Sequence, residues 1–422
     1  MDRIQALTMS LTPSAPVPAR NLCTDCGLSR TDEPKRCAQA CQFIQPDYPS
    51  WETSVHGRAR APQGDELFFG PHQRMWQAWL EPAHGDAQWS GIATTLAQTL
   101  LSEGLVDAVI AVQASAHDRW EPEATTITRA EDMARCRGMR MGYAPLLAQI
   151  EPALRAGHRR LAVIGIPCQI YPLRVLEASL RERYGLQELF VIGIPCSDNT
   201  HTRHFHQFLA LLSDQPEQIN YLEFRSDYRV EVRTTQGEVR HIAFLDLPLS
   251  DLPPDFFPLT CRTCVDYSNA LSDITVGYMG GDGEQWVIVR NDRGQHMLDL
   301  LGERVRLQAP RDGGRRQTAV RGFLTNTQRA AGGLPLRRTP RWLRPLVKWL
   351  MPRLGPKGLE FARARLEMKA LETVVHLTRE RPARMPTMIP AHVWALVQPY
   401  GLSPTSAPRH PSAPAQQEMA CD

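Results

Sequence analysis

The sequence contains the tetrapeptide Gly-Ile-Pro-Cys twice, each time at the end of a short apolar run. Residues 161–166 read LAVIGI, residues 189–194 read LFVIGI, and both runs continue into Pro-Cys. Short apolar runs that alternate with helical stretches predict buried strands of a mainly parallel sheet. Cys168 and Cys196 would then lie just past the carboxyl ends of two strands, which is where open α/β sheets bind ligands.

Other stretches extend this prediction. Residues 107–112 (DAVIAV) predict a further buried strand, and residues 88–101 predict an apolar helix. Residues 68–80 predict an aromatic-rich start that leads into a helix. Alternating apolar and polar residues at 219–245, on both sides of a Gln-Gly pair, predict an antiparallel hairpin. The predicted fold class is therefore α/β with α+β elements, with a mainly parallel central sheet, flanking helices and an antiparallel hairpin insertion.

Four cysteines lie close together near the amino terminus, at Cys23, Cys26, Cys37 and Cys41. The segment around them shows little hydrophobic periodicity and cannot bury a core by itself, so a metal centre is the expected substitute. Four thiolates suit either a 4Fe–4S cluster or a structural zinc ion. The spacing and the absence of a partner histidine favour iron–sulfur over zinc, and unliganded thiols are the least favoured alternative.

A second set of cysteines is spread along the chain. Cys261 and Cys264 form a C-x2-C pair, which can supply two ligands to one metal centre. If this loop folds over the carboxyl edge of the sheet, Cys168 and Cys196 complete a set of four. The alternative is that the Pro-Cys turns are buried structural elements with small apolar thiols. Cys136 is left over as a thiol, a core residue or a site residue.

Composition limits the classes of function. The 422 residues carry a formal net charge of only +3, which does not indicate nucleic-acid binding. No run approaches the roughly 18–20 apolar residues that span a bilayer. The first twenty residues lack the features of a secretory signal, so we expect a cytoplasmic protein. Clustered cysteines in that compartment indicate metal or redox chemistry more often than disulfides.

The start of the helix predicted at 88–101 is a candidate anion site. A Ser-Gly pair there exposes backbone N–H groups, although an ordinary helix cap has the same sequence. Arginines at 135–140 could neutralise a diphosphate or could simply face solvent. A Gly-Gly pair further on marks either a tight turn near a cofactor or a hairpin. The candidate cofactor-binding residues are Gln88, Ser90, Gly91, Thr94, Arg137, Met139, Arg140, Asn199, Gly280 and Gly281.

The predicted organisation has five parts. Residues 1–20 form a disordered leader and residues 21–60 a small N-terminal iron–sulfur segment. Residues 61–310 form the catalytic α/β domain, residues 311–402 a basic helical region and residues 403–422 a disordered tail. Within the basic region, the aromatic and basic run at 337–353 could lie on a membrane surface, enclose a flat apolar ligand or pack on the body as a surface helix.

Several motifs carry a resemblance to a known family. GIPCQI at 165–170, GIPCSDN at 193–199, CRTCVDY at 261–267 and LSDITVGYMGG at 271–281 resemble the β-subunit family of deazaflavin-reducing hydrogenases and dehydrogenases. That family binds FAD and a 4Fe–4S cluster. The motifs LCTDCGLSRTDEPKRCAQACQFIQPDYP, CRGMRMGYAPLL and GPKGLEFARARLEMKALE also resemble the ferredoxin-dependent divinyl chlorophyllide 8-vinyl reductases and their sister group, the 7-hydroxymethyl chlorophyll a reductases.

The resemblance implies two 4Fe–4S clusters, FAD and electron transfer from reduced ferredoxin to a chlorophyll-type pigment. It implies one cluster on Cys168, Cys196, Cys261 and Cys264, and a second on Cys23, Cys26, Cys37 and Cys41, with exchange of Cys136 into either set as an alternative. The implied reaction reduces an 8-vinyl group to ethyl. Reduction of a 7-hydroxymethyl group and a role as the electron-transfer subunit of a larger complex are the alternatives. Candidate proton donors are Cys136, Tyr143, His72 and bulk water. A homo-oligomer and peripheral contact with a photosynthetic membrane are further expectations.

Overall fold

The computed structural model describes residues 23–225, 228–278, 285–330, 340 and 342–404, apart from the side chains at 89, 250, 351 and 352. The predicted leader at 1–20, the Gly280-Gly281 pair and most of the predicted tail lie outside the described residues.

A mixed sheet of eight strands forms the centre of the described part of the chain. Its strand order is β11-β1-β10-β9-β5-β4-β2-β3. The middle strands β9, β5, β4 and β2 are parallel, β10, β1 and β11 continue the sheet antiparallel on one side, and β3 is antiparallel on the other. The strands are β1 (Arg74–Leu80), β2 (Ala108–Ala114), β3 (Pro122–Ile127), β4 (Arg160–Gly165), β5 (Glu188–Gly193), β6 (Ile219–Phe224), β7 (Arg229–Thr234), β8 (Val239–Ala243), β9 (Ile274–Gly277), β10 (Gln285–Val289), β11 (Val305–Gln308), β12 (Asp312–Gly313) and β13 (Lys357–Gly358).

Helices cover both faces of this sheet. They are α1 (Cys37–Ala40), α2 (Tyr48–His56), α3 (Asp65–Phe69), α4 (Ile92–Ser102), α5 (Ile150–Arg155), α6 (Pro167–Tyr184), α7 (Thr202–Leu212), α8 (Leu259–Arg262), α9 (Asp292–Asp299), α10 (Arg316–Arg329), α11 (Arg344–Leu354), α12 (Leu359–Glu380), α13 (Met385–Met388) and α14 (Ala391–Val397).

The apolar runs of the sequence fill two cores, one on each face of the sheet. In β5, Leu189 and Val191 join the core under α5 and α6, whereas Phe190 and Ile192 join the core under α4 and α9. Successive side chains of a strand point to opposite faces, so a strand covered on both sides is apolar throughout. The prediction of a parallel central sheet with flanking helices is confirmed.

The predicted hairpin is also confirmed, within a separate three-stranded antiparallel sheet of β6, β7 and β8. The Gln-Gly pair forms its turn, with Gly237 at φ 83°. This insertion sheet packs with α7 around its own apolar cluster, which includes Phe205, Phe208 and Val230.

The helix predicted within residues 68–80 is wrong. The short helix α3 ends at Phe69, and Gly70 follows at φ 77° with an extended ψ, immediately before Pro71. Beyond these two helix-breaking residues the chain forms β1, which inserts between β10 and β11. Pairing on both edges of β1 satisfies its backbone and outweighs the helical propensity of its residues.

The long helix α12 confirms the prediction of a helix at 357–379. It lies against the cysteine loop. Its residues Ala364, Leu371 and Val375 share an apolar cluster with Cys264. Thr373 Oγ1 donates a hydrogen bond to the carbonyl of Cys264 at 2.9 Å. The carboxyl-terminal helices therefore help to shape the site at the sheet edge.

Candidate functional site

Four cysteines from three parts of the chain line one cavity at the carboxyl edge of the sheet. The adjacent strands β4 and β5 end in register at Gly165 and Gly193. Cys168 then lies in the first turn of α6, and Cys196 follows β5 in a loop. The loop that begins with α8 brings the C-x2-C pair to the same cavity, so the structure brings together Cys168, Cys196, Cys261 and Cys264.

The cysteine loop is held against both strand ends by specific contacts. Asn269 Nδ2 donates to the carbonyls of Gly165 at 2.8 Å and Ile194 at 3.3 Å. The Cys196 N–H donates to the Tyr267 carbonyl at 3.0 Å. A Cβ on Gly193 would lie 2.6 Å from Ser272 Oγ, so the glycine of the second motif is required for this close approach.

The thiols of this cavity lie in surroundings that disfavour their thiolate forms. Burial raises the pKa of Cys261 to about 12 and that of Cys264 to about 11. Burial, and then the neighbouring thiols, raise the pKa of Cys168 and of Cys196 well above the ordinary value. Loading a metal centre would therefore release protons from these thiols.

Hydrogen-bond donors already point at two of these sulfur atoms. The backbone N–H of Asn199 lies 3.4 Å from Cys261 Sγ, and Gln42 Nε2 lies 3.7 Å from Cys264 Sγ. Donors of this kind stabilise negative charge on cluster ligands and raise the reduction potential. Among the described residues, no three His, Cys, Asp or Glu side chains are arranged to hold a single metal ion.

The amino-terminal cysteines form a second group. Burial raises the pKa of Cys26, and the thiols of Cys41, Cys37 and Cys23 raise it further. Their segment is docked on the main body, because the N–H of Leu147 donates to the Cys26 carbonyl at 2.9 Å.

The two cysteine groups adjoin each other, which sequence reasoning did not predict. Thr24, between Cys23 and Cys26, and Phe43, two residues after Cys41, both line the cavity of the second group. Gln42 bridges from the amino-terminal segment to Cys264.

A buried charged cluster, also missed by sequence reasoning, lies behind the C-x2-C pair. Lys369 of α12 is 5% exposed, and its Nζ lies 2.7 Å from Asp198 Oδ1 and 3.1 Å from Glu372 Oε2. Burial raises the pKa of Glu372 to about 7 against the opposing charge of Lys369. The ammonium group opposes the rise that burial causes in the pKa of both Cys261 and Cys264, whereas the carboxylate of Asp198 adds to that rise.

The candidate cofactor residues at the start of α4 lie beside the arginine segment. Ser90 and Gly91 have positive φ values of 80° and 92°. Ser90 Oγ accepts from the Leu80 N–H at 3.0 Å, and the N–H of Ile92 donates to a glutamine side chain of β10 at 3.2 Å. Thr94 Oγ1 donates to the Gly91 carbonyl at 3.1 Å. This turn is therefore stabilised by its own contacts.

Arg137 and Arg140 each keep a hydrogen-bond donor that their contacts within the protein do not use. Arg137 pairs with Asp86 at 3.1 Å, and Arg140 Nη1 donates to the Arg137 carbonyl at 2.8 Å. The Nε atoms of both arginines are buried and have no hydrogen-bond partner within the part of the chain that the structure describes. Buried guanidinium donors of this kind can pair with the oxygens of a bound anion, of which a diphosphate is one example.

The remaining cofactor candidates have structural contacts. Gln88 Nε2 donates to the Leu222 carbonyl at 3.1 Å and links the turn to the insertion sheet. Met139 packs on the core of that sheet. The side chain of Asn199 donates to the Gly142 carbonyl at 2.6 Å, and its Oδ1 accepts from the N–H groups of Gly142 at 2.9 Å and Thr200 at 2.8 Å.

The three proton-donor candidates lie in different surroundings. Tyr143 lines the cysteine cavity, and burial followed by the thiols of Cys261 and Cys168 raises its pKa. Cys136 packs against the core under α4, and burial raises its pKa to about 11. His72 lies before β1 with its Nδ1 3.0 Å from the Gly70 carbonyl, and burial lowers its pKa.

A buried ion pair fixes the strand that follows the cysteine loop. Arg174 and Asp273 are both fully buried, with Arg174 Nη2 2.9 Å from Asp273 Oδ1. Asp273 Oδ2 accepts from the Val191 N–H at 2.8 Å, and Asn291 Nδ2 donates to Oδ1 at 2.8 Å. The sequence feature that could have indicated this network is an aspartate placed directly before an apolar strand.

Comparison with known proteins identifies a family and its relatives. Residues 158–311 match the C-terminal part of the "Coenzyme F420 hydrogenase/dehydrogenase, beta subunit" family, and residues 75–151 match the N-terminal part of the same family. The chain is 34% identical over 395 residues to an uncharacterized protein of Nostoc sp., covering 93% of this chain and 97% of that protein. It is 32% identical over 406 residues to "7-hydroxymethyl chlorophyll a reductase, chloroplastic" of Oryza sativa subsp. japonica, covering 93% of this chain and 85% of that protein.

A solved structure shares the fold. A chain of the F420-reducing [NiFe] hydrogenase complex from Methanosarcina barkeri superposes with a TM-score of 0.51 at 21% identity, covering 57% of this chain and 84% of that chain. No helix in the described residues is long and apolar enough to cross a membrane.

Proposed function

Because the chain belongs to the coenzyme F420 hydrogenase/dehydrogenase β-subunit family, we propose that it is an oxidoreductase that reduces a chlorophyll-type pigment with electrons from ferredoxin. The proposed cofactors are two 4Fe–4S clusters and FAD. The rice relative, which is similar over nearly the whole chain, supports a pigment as the substrate.

The observation that carries the proposal is the contact between the two cysteine groups. Four cysteines around one cavity are the donor set of a 4Fe–4S cluster, and the N–H of Asn199 suits a sulfur ligand that carries negative charge. Thr24, Gln42 and Phe43 join this group to the amino-terminal group. When bound, the clusters would supply single-electron transfer and the flavin would supply two-electron transfer.

The chain also offers a fitting place for the flavin. The unpartnered Nε atoms of Arg137 and Arg140 suit a diphosphate, and Gly91 brings the backbone of a helix start close by. Ser90 and Asn199 act as positioning residues in this proposal, because their side chains are already engaged with Leu80 and Gly142.

The proposed reaction is reduction of an 8-vinyl group to ethyl, as the sequence motifs imply. It consumes two electrons and two protons, and the two hydrogen atoms they form remain in the product. The second candidate, supported by the rice relative, converts a 7-hydroxymethyl group to methyl with the same electrons and protons and releases water. Tyr143 is the proton-donor candidate that lines the cysteine cavity, while Cys136 and His72 lie elsewhere.

The test is turnover by the anaerobically purified chain with reduced ferredoxin and either pigment. A product that gains two hydrogens identifies the 8-vinyl reaction, and one that loses oxygen identifies the 7-hydroxymethyl reaction. No turnover with either pigment, in a chain that carries its cofactors, would favour an electron-transfer subunit of a larger complex.

Cofactor content tests the cysteine assignment separately. We expect about eight irons and one FAD per chain. Cys261→Ser should lose about half of the iron and abolish ferredoxin-driven reduction. The matched variant Cys136→Ser should keep all of its iron. Zinc in place of iron at the amino-terminal cysteines would contradict the two-cluster proposal.

A further inference from the structure

Helix α11 exposes its apolar side to solvent. Trp342 is 80% exposed, Leu346 is 51%, Trp349 is 55% and Leu354 is 66%. The spacing of Trp342, Leu346, Trp349 and Arg353 places them along one face of the helical segment. Four of the seven large hydrophobic residues that are exposed in the described part of the chain lie in α11 or in the turn before it, and three of these four share this face.

The opposite side of α11 holds the helix on the body. Lys348 Nζ lies 2.5 Å from Asp246 Oδ2, in the turn that follows β8 of the insertion sheet. Leu343 and Val347, on the same side, are half-buried. The exposed face is therefore presented outward by a helix that is attached to the protein.

The surrounding sequence is strongly basic. Eleven of the 48 Lys and Arg residues fall between Asp312 and Glu360, and none of the 45 Asp and Glu residues does. The whole chain has a formal net charge of only +3, so the remainder is acidic and the positive charge is concentrated in this region. Arg353 lies over the Trp349 ring, with its guanidinium carbon 4.3 Å from the ring centroid.

We propose that the exposed face of α11 is a docking surface for a membrane with anionic lipid headgroups. Tryptophan and leucine on one side of a helix, with Lys and Arg around them, are the features of a helix that lies in the membrane interface. The indole rings enter the headgroup boundary, and the basic residues pair with lipid phosphates. Charge complementarity selects an anionic surface over a neutral one.

The experiment is flotation of the cofactor-loaded full chain with phosphatidylcholine vesicles, with and without phosphatidylglycerol. Binding is expected only with phosphatidylglycerol and should weaken as salt is raised. Trp342→Glu combined with Trp349→Glu should lower the vesicle-bound fraction by about tenfold or more. The matched control, Val239→Glu with Leu307→Glu, changes two exposed apolar residues elsewhere and should bind like the parent. Equal urea midpoints for both double variants will show that folding is intact.

Three outcomes would overturn the proposal. The first is equal binding to both vesicle types, or to neither. The second is vesicle binding that survives the double tryptophan change. The third is a double tryptophan variant that loses self-association or reduction by ferredoxin while the parent ignores vesicles, which would assign the face to a second copy or to an acidic protein.

Discussion

Replacing Asp273 should destabilise the protein by an amount that its contacts allow to be worked out. The carboxylate is fully buried and pairs with Arg174, which is also fully buried. It accepts three further hydrogen bonds, from Val191, Asn291 and the partly exposed Arg293. Through Val191 it ties β5, which leads to Cys196, to the strand that follows the cysteine loop.

The magnitude follows from what each variant leaves behind. Asp273→Ala leaves a buried guanidinium with one remaining carboxylate partner, Glu177 at 2.9 Å. Loss of one partner of a buried pair costs about 3–5 kcal/mol, and the Glu177 contact places the expected loss near the lower end. Asp273→Asn keeps an oxygen for the Val191 N–H and should cost less, about 2 kcal/mol.

Urea unfolding followed by tryptophan fluorescence measures these losses. The control is Glu131→Ala, which removes an exposed ion pair with Arg129 and should leave the unfolding midpoint unchanged. A loss below about 1 kcal/mol for Asp273→Ala would refute the reasoning, because it would mean that Arg174 needs no buried counter-charge.

The same carboxylate gives a pH dependence with a definite sign. Burial opposes ionisation of Asp273, but Arg174, Arg293 and its hydrogen bonds hold its pKa below the ordinary value. Its contribution to stability is therefore complete above the unfolded pKa, about 4, and is lost as the pH falls through the lower folded value. The stability difference between the parent and Asp273→Asn should shrink below about pH 4.

Two further predictions concern the cysteine cavity. Lys369→Met should lower the midpoint potential of the proposed centre at Cys261 and Cys264 by an amount on the order of tens of millivolts, because the buried positive charge favours the reduced state. A redox titration followed by electron paramagnetic resonance measures this potential. The control Lys369→Arg keeps the positive charge, so its midpoint potential should stay close to that of the parent. An unchanged midpoint potential in Lys369→Met would show that this charge does not act on the centre. Gly193→Ala should cost about 1–3 kcal/mol and lower the iron content, because its Cβ would lie 2.6 Å from Ser272 Oγ. Full iron content together with parental stability would contradict the close approach.

The central fold could be predicted because its sequence signals are local. The runs at β4 and β5 are apolar at every position that a doubly covered strand needs, and each ends at a repeated turn. The Gln-Gly turn likewise encodes the hairpin of β7 and β8. Strand β1 could not be predicted in the same way, because its identity comes from partners more than 200 residues away in β10 and β11.

The cysteines of the candidate site were predictable by residue type, and their surroundings were not. The C-x2-C spacing and the repeated Pro-Cys turns predict that these cysteines form one set of ligands. Nothing local indicates that Gln42 reaches Cys264, or that Lys369 of α12 lies behind the C-x2-C pair. Buried partners from distant segments are chosen by the tertiary structure, which a single sequence does not display.

The position of the amino-terminal segment has a consequence for how the protein is matured. Thr24 and Phe43 form part of the wall around the cavity of Cys168, Cys196, Cys261 and Cys264. The hydrogen bond from the Leu147 N–H to the Cys26 carbonyl holds this part of the wall in place. If the four cysteines bind a centre, as proposed, that centre would enter most readily before the amino-terminal segment docks.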